Sequence, residues 1–542
     1  MNRKQPETDA AALCVHAAEL AGQGRLDEAA ESYRQATEAD PDFAEAHYNL
    51  GVVLQLLGNA ENAADAFRRA ISIKPDYFQA HTNLGAALET MGNTEDAIVA
   101  YRLAIDANPS HARAFANLGG AWQKLKRPDD ALVALEKALE LESQFPEALN
   151  NMGNVLCDLG RFDDAIDHFQ RALALMPDFK EAHHNLGNTH KKAGRMDDAA
   201  TSLGRALEID PDYAEAHWNL SHVLLLQGRL ADGWGEHEWR WRCAEAPAQK
   251  RDFPQSSWPG PNANKDAGAK TVLVWGEQGV GDEILFSSMI PDLLDTNANV
   301  VIECDRRLVP LFQRSFPEAK CIAQVHPPSP ESISGDIDYQ TPSGSLGRWL
   351  RPDLASFPAR TSYLMPDPER REAIREKYRD GETPLLVGIS WSSINEYIGG
   401  EKSVSLADLG FLGKIPGIRL VDLQYGNTEN QRRAFEETTG AAVNHDNDID
   451  QMADLDGFAA QVAALDLVVG VSNTTAHMAG ALGVETFVML SAVPLSCWML
   501  ERDDSPWYPS IKLFRQGAPG DWSAVLKQVE AAVRARVTRQ AS

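Results

Sequence analysis

Proline stands at Pro41, Pro75, Pro109, Pro177 and Pro211, a lattice of period 34 broken only by Ser143. No other feature of this chain restricts its fold so tightly, because five further columns keep the same step. Gly51, Gly85, Gly119, Gly153 and Gly187 form one column, and Gly24, Gly58, Gly92, Gly160, Gly194 and Gly228 another. Small residues recur at Ala29, Ala63, Ala97, Ala131, Ala165 and Ala199, and again at Ala36, Ala70, Ala104, Ala138, Ala172 and Ala206. Between them Tyr33, Phe67, Tyr101, Leu135, Phe169 and Leu203 supply the bulk. Small side chains let two antiparallel helices approach, and the larger one fills the space beside them. Glycine ends the first helix and proline stops the second. Each hairpin then leaves an apolar face that only the next can cover, so the units must stack.

The combination resembles the tetratricopeptide repeat. Six full repeats are expected at 10–43, 44–77, 78–111, 112–145, 146–179 and 180–213, within an all-α superhelix over 10–245. Such a superhelix implies a protein partner. Asn49, Asn83, Asn117, Asn151, Asn185 and Asn219 share one position of the first helix, which lines the concave face in this repeat family. Two readings of the column stand. It offers donor and acceptor pairs to an extended peptide, as similar ladders do in the eukaryotic O-GlcNAc transferases, or each amide bonds within its own hairpin. A seventh unit departs from the pattern, with Gly233 for the alanine, His237 for the aromatic, and Trp234, Trp239 and Trp241 crowding its second helix. It reads as a cap that buries its own end or as a docking element, and three tryptophans exceed what a solvated cap requires.

At 542 residues the chain exceeds one compact core. Its formal charge of −27 argues against a nucleic-acid partner, since phosphate is held by clustered Lys and Arg. The six cysteines show no CxxC spacing, so a zinc site or disulfide framework is not expected. The start is polar without a signal-type apolar region, and no apolar run reaches the ~18 residues of a membrane span. A cytoplasmic protein is expected.

Periodicity vanishes over 246–269, where Pro247, Pro254, Pro259 and Pro261 mark a connector. Beyond it, short apolar runs (Thr271–Trp275, Val300–Glu303, Leu385–Trp391, Arg419–Leu423, Leu467–Val471, Thr486–Leu490) alternate with helical stretches (Asp282–Leu294, Leu406–Leu412, Leu455–Leu465, Thr475–Leu482, Asp521–Val537). That alternation predicts parallel sheets flanked by helices. A charged helical stretch within a connector at 366–383 separates a first lobe at 270–365 from a second at 384–540, two Rossmann-like lobes facing a cleft.

In the first lobe the strand TVLVW runs into Gly276-Glu277-Gln278-Gly279-Val280-Gly281-Asp282 and a helix. Glycines there let a ligand approach a helix N-terminus. A dinucleotide fingerprint would need glycine at Ile284, and no Gly-Lys-Ser/Thr of a P-loop follows. Asp282 reads as a general base at the strand's carboxyl end or as a helix cap. In the second lobe Lys402 follows the strand VGISW, placed for a diphosphate or for solvent. Ser472-Asn473-Thr474-Thr475-Ala476-His477 opens a small-residue helix, readable as a phosphate seat or as a well-capped core helix.

Taken in order, VLVWGEQGVGDEILF, VGISWSS, EKSVSLADL, IRLVDLQYG and LDLVVGVSNTTAHMAGALG resemble the ADP-heptose heptosyltransferase family of bacteria, in its branch fused to tetratricopeptide repeats. The resemblance spans about Trp258 to Trp522. It implies the GT-B fold, a nucleotide-sugar donor held mainly by the second lobe, inversion at the anomeric carbon, and neither bound metal nor cofactor. It implies Asp282 as catalytic base, and Lys402, Ser472, Asn473, Thr474, Thr475 and His477 around the donor, with Gly279 and Gly281 in the facing loop. Where the family carries Asp-Thr-Gly-Leu this chain has Ser472-Asn473-Thr474-Thr475, which leaves the sugar open. Acidic pairs such as Asp446/Asp448 and Asp448/Asp450 imitate a metal-binding motif but arise easily among 78 acidic residues. The expected function is transfer of a sugar to a Ser or Thr hydroxyl of a protein captured by the repeats, flagellin being one such acceptor. A non-catalytic scaffold and an enzyme acting on a glycan are the alternatives.

Overall fold

The computed structural model describes residues 9–244, 250–264, 269–379, 384–393 and 399–541. The chain divides into two compact units, one of Met1–Ala193 with Thr201–Pro211 and one of Gly194–Ala200 with Asp212–Ser542.

Helices of 13 and 14 residues alternate in the repeats, beginning with Ala10–Gly22 and Leu26–Ala39, then Ala44–Leu56 and Ala60–Ile73, and ending with Lys180–Lys192 and Met196–Ile209. Each lattice position has a steric cause. A β-carbon on Gly51, Gly85, Gly119 or Gly153 would stand 2.6, 2.4, 2.5 or 2.7 Å from Phe67, Tyr101, Leu135 or Phe169, respectively. Only glycine admits the bulky residue of the partner helix at that distance. Gly24, Gly58, Gly92 and Gly160 adopt φ between 74° and 81° where the first helix turns into the second. In the fourth repeat the non-glycine Lys126 takes that conformation, at φ 56°.

The seventh hairpin, Ala214–Leu226 and Leu230–His237, ends in a tight turn at Glu238–Trp241 and belongs to the second unit. Trp234 is buried, donates from its indole to the Arg351 carbonyl at 3.0 Å, and meets Phe286 and Trp507 edge to face. Trp241 lies 5.5 Å from Trp275 between ring centres. Docking is thus the role of these two tryptophans. Trp239 instead stacks on His217 within the hairpin, at 3.8 Å and 7°, and serves as a cap.

Eleven strands among the described residues form two all-parallel sheets. β1 (Ser256–Ser257), β2 (Thr271–Trp275), β3 (Asn299–Cys304), β4 (Lys320–Ala323) and β5 (Tyr339–Pro342) are ordered β1-β5-β2-β3-β4. β6 (Leu385–Ser390), β7 (Ile418–Asp422), β8 (Val443–Asn444), β9 (Leu467–Val471), β10 (Thr486–Leu490) and β11 (Ile511–Arg515) are ordered β11-β10-β9-β6-β7-β8. Central strands read as continuous apolar runs because helices cover both faces. One core runs from Trp234 through Phe286 and Ile290 to Phe458 and Met478, and a second fills the other face of the larger sheet around Trp391 and Phe487.

Several expectations need correction. The helix expected over Asp282–Leu294 is two, Val280–Ser287 and Ile290–Leu294, because Pro291 cannot continue the first ladder. Leu406–Leu412 forms only short turns at Ala407–Leu409 and Leu412–Lys414. Part of the stretch read as a connector at 246–269 is built into the first lobe. There β1 pairs with β5, Phe253 and Trp258 are buried, and Arg251 forms a buried ion pair with Glu303. In the stretch read as a connector at 366–383, helix Pro368–Arg379 packs on the second lobe, with Ile374 and Tyr378 buried and Arg370 paired to Asp454 at 2.6 Å. Residues 245–249, 265–268 and 380–383 of these stretches lie outside the described residues. Among the described residues no helix is long and apolar enough to cross a membrane.

Candidate functional site

The loops after β2 and β9 meet. A β-carbon on Gly281 would lie 3.4 Å from the His477 ring and 3.5 Å from Thr474 Oγ1, so the glycine loop of the first lobe touches the helix start of the second. Nearby, Asp305, Arg306, Arg307, Gln324 and His326 face Asp450, Met452 and Ala453 across a cleft of about 660 Å³. Crevices at the carboxyl ends of parallel strands are where open α/β sheets bind ligands.

Gly279, not Asp282, is the N-cap of helix Val280–Ser287; Asp282 stands in the first turn, where the Gly279 backbone hydrogen-bonds its carboxylate. Burial and the neighbouring Glu277 push its pKa up to about 6, opposed by the Gly279 bond and by Lys402. An acid poised there is ionised at neutral pH yet basic enough to accept a proton. Glu283, the next residue, is pushed up to about 8 by burial and accepts the Asp305 N–H at 2.9 Å on the inner side of the loop. Lys402 is 8% exposed, and burial lowers its pKa while Cys497 and Asp282 raise it.

Three of the motifs singled out in the sequence converge around β6. Gln424 Oε1 accepts from the Trp391 and Ser392 amides at 3.0 and 2.8 Å. Asn473 caps helix Thr474–Ala481 and donates to Ser390 Oγ at 2.7 Å and to the Ser392 carbonyl at 3.1 Å. Ser472 accepts the Trp498 indole N–H at 2.8 Å, and Thr475 donates to the Leu423 carbonyl at 3.5 Å. His477 shares a hydrogen bond of 2.8 Å with Tyr508 and stacks on Trp498. Burial and Lys402 lower its pKa to about 3, so it is neutral. Ser472, Asn473, Thr475 and His477 therefore hold the helix start in place, whereas Thr474 faces Gly281 with a partly exposed side chain.

Three asparagines of the column bond to the preceding repeat, and one bonds within its own hairpin. Asn83 donates to Tyr48, Asn151 to the Ala116 carbonyl and Asn185 to Asn150, each about one repeat back, at 3.2, 3.5 and 3.0 Å. Asn219 bonds to Glu215 one turn earlier. All six, Asn49 and Asn117 included, remain partly exposed. Asp446 and Asp448 both bind Lys377, at 2.7 and 2.8 Å. Among the described residues no three or more His, Cys, Asp or Glu are grouped to hold a metal.

Sequence reasoning overlooked Glu277, whose side chain is 1% exposed and forms a two-pronged pair with Arg240 at 2.7 and 3.2 Å. A charged residue inside a glycine-rich turn was the available signal. It also overlooked Trp498 and Tyr508, which pack on His477 from the loop after β10.

The tetratricopeptide-repeat family matches residues 14–78, 78–111, 110–178 and 144–212, so this stretch consists of such repeats. Protein FlbA of Caulobacter vibrioides is 32% identical over 326 residues, 57% of this chain and 53% of that protein. The chain thus spans about half the length of this relative. Among solved structures, the APC/C hetero-tetramer Cut9–Hcn1 covers 41% of this chain and 44% of its own, at 21% identity and TM-score 0.39. YrrB, described as a TPR protein with an unusual peptide-binding site, covers 34% and 96%, at 25% identity and TM-score 0.28. Pseudomonas aeruginosa PilF covers 38% and 94%, at 22% identity and TM-score 0.34.

Proposed function

We propose that this chain is a protein glycosyltransferase with a GT-B catalytic region, moving a sugar from a nucleotide-sugar to a Ser or Thr hydroxyl of a protein held by the repeats. The observation that carries the reading is the approach of Gly281 to Thr474 and His477, with Lys402 acting electrostatically on Asp282. In the proposed step Asp282 takes the acceptor hydroxyl proton as the oxygen attacks the anomeric carbon from the face opposite the phosphate. The bond from that carbon to the phosphate oxygen breaks, and the nucleoside diphosphate, or monophosphate, leaves. Lys402 and the first amides of helix Thr474–Ala481 meet its growing charge, a task that positioned cations and helix N-termini perform without reorganisation.

Incubation with candidate acceptors, flagellin first, and a panel of nucleotide-sugars tests this by intact-protein mass spectrometry. A sugar-sized increment that Asp282→Asn abolishes, with calorimetric nucleotide binding retained, is the expected result. The internal hydrogen bonds of Ser472, Asn473 and Thr475 favour a second reading, a repeat scaffold whose α/β region assembles partners without catalysis. No increment with any donor and no heat with any nucleoside diphosphate would establish that reading instead.

A further inference from the structure

The hydrogen bonding of Arg240 is unusual for a residue at the end of a repeat hairpin. Its side chain is fully buried, and every nitrogen is engaged. Nε and Nη2 donate to the two oxygens of Glu277, Nη2 also to Ser345 Oγ at 2.9 Å, and Nη1 to His237 Nδ1, the His237 carbonyl and Glu238 Oε1 at 2.8, 2.9 and 3.0 Å. Glu277 in turn accepts the Gly344 N–H at 2.6 Å, and Ser345 donates to Glu238 at 2.6 Å. One of the two departures of this hairpin from the repeat pattern serves that network. His237, at the aromatic position, is buried between Trp218 and Trp234 and offers Nδ1 to Arg240. Gly233 passes Leu225 so closely that a β-carbon would stand 2.8 Å from its side chain.

A buried ion pair is costly to form, and removing one partner leaves a charge stranded in an apolar interior. Here the stranded charge would lie in the loop that carries Asp282. We propose that Arg240 and Glu277 are a positioning pair, through which the seventh hairpin fixes the glycine-rich loop and sets the charge environment of Asp282. The inference rests on the reading of Asp282 as the base. It makes residues 214–241 an obligate part of the active site rather than a tether. The groups that act on Asp282 or feel its charge are Glu277, Glu283, Lys402, Cys497 and Tyr508; of these Glu277 is the one joined to the hairpin by an ion pair. Burial and Glu277 together raise the Asp282 carboxyl, so folding favours its protonated form and stability is lost as pH rises from its ordinary 3.8 through about 6.

The test uses the full chain and does not need transfer to be observed. The difference in Tm between Asp282→Asn and the native residue is followed from pH 3.5 to 8, with and without Glu277→Gln. In the native background the gain from Asp282→Asn should grow up to about pH 6 and then level. With Glu277→Gln the rise should move to lower pH, because a negative neighbour has been removed. Arg240→Lys, which keeps the charge but loses the fork that holds Glu277 ionised, should also displace the rise and serves if Glu277→Gln does not fold. A rise that stays in place in these backgrounds overturns the proposal. Shifted curves in a chain that transfers no sugar would leave the positioning pair standing and remove the transferase reading. In a chain that does transfer sugar, Arg240→Lys should lower kcat at least tenfold while the donor KM stays within twofold.

Discussion

Gly281 and Thr474 belong to different lobes, yet there is room for no more than a methyl group between them: a β-carbon on the glycine would stand 3.5 Å from the threonine Oγ1. Alanine would be an ordinary van der Waals neighbour there, but a longer side chain would wedge the loops apart. Gly281→Ala should therefore bind nucleoside diphosphate within about threefold of the native chain. Gly281→Leu should lose at least tenfold, about 1.4 kcal/mol, as read by calorimetry.

The proposed transfer has an acid limb fixed by Asp282. The ionised carboxylate is the active form, and burial with Glu277 places its pKa at about 6. Rates measured under kcat/KM conditions should fall tenfold per pH unit below that value and stay flat just above it. His477, neutral down to about 3, should contribute no limb of its own in this range.

Lys402 supplies the cation that faces the proposed phosphate site. Lys402→Met keeps the length of the stem and removes the charge. A charge-assisted hydrogen bond contributes about 1.5–3 kcal/mol, so nucleoside diphosphate affinity should drop by roughly ten- to a hundredfold. The uncharged nucleoside should bind both proteins alike, which calorimetry with the two ligands would check.

Trp234 fills space against Phe286, Trp507 and Gly347 at once. Trp234→Ala removes that packing and the indole bond to Arg351, and should cost about 3–5 kcal/mol in chemical denaturation. Trp239→Ala, which removes the stack on His217 and the Arg242 cation over its ring at a partly exposed position, should cost less than half of that.

Lys126 occupies the left-handed turn that glycine holds in the neighbouring repeats. Relief of that conformation offsets the added freedom of an unfolded glycine. Lys126→Gly should stabilise the repeats by up to about 1 kcal/mol, seen as a rise in the denaturation midpoint at unchanged slope.

The elements most legible in the sequence were those whose burial is uniform. The repeat columns report one contact each, such as Gly85 under Tyr101, and the bounds of β2, β9 and β10 follow from unbroken apolar runs. Strands β4, β5, β8 and β11 escaped because they are short or mixed in polarity, as in Tyr339–Pro342. The site was legible as a set of positions but not as a division of labour. Whether Ser472 meets a ligand or a neighbour depends on Trp498, 26 residues away, and no local spacing encodes that bond. The same holds for Arg240 and Glu277, 37 residues apart and joined only by the tertiary fold.

Hairpin 214–241 also limits how this architecture can be re-engineered. A repeat of regular pattern can be copied or deleted, because each copy presents the surface that the next expects. The seventh hairpin has exchanged that interchangeability for a fixed address, with Trp234 committed to Phe286, Trp507 and the Arg351 carbonyl and Arg240 to Glu277. Lengthening or shortening of the array, by evolution or by design, is therefore confined to the repeats before residue 214, and a consensus hairpin grafted at 214–241 would fold without a place to plug in.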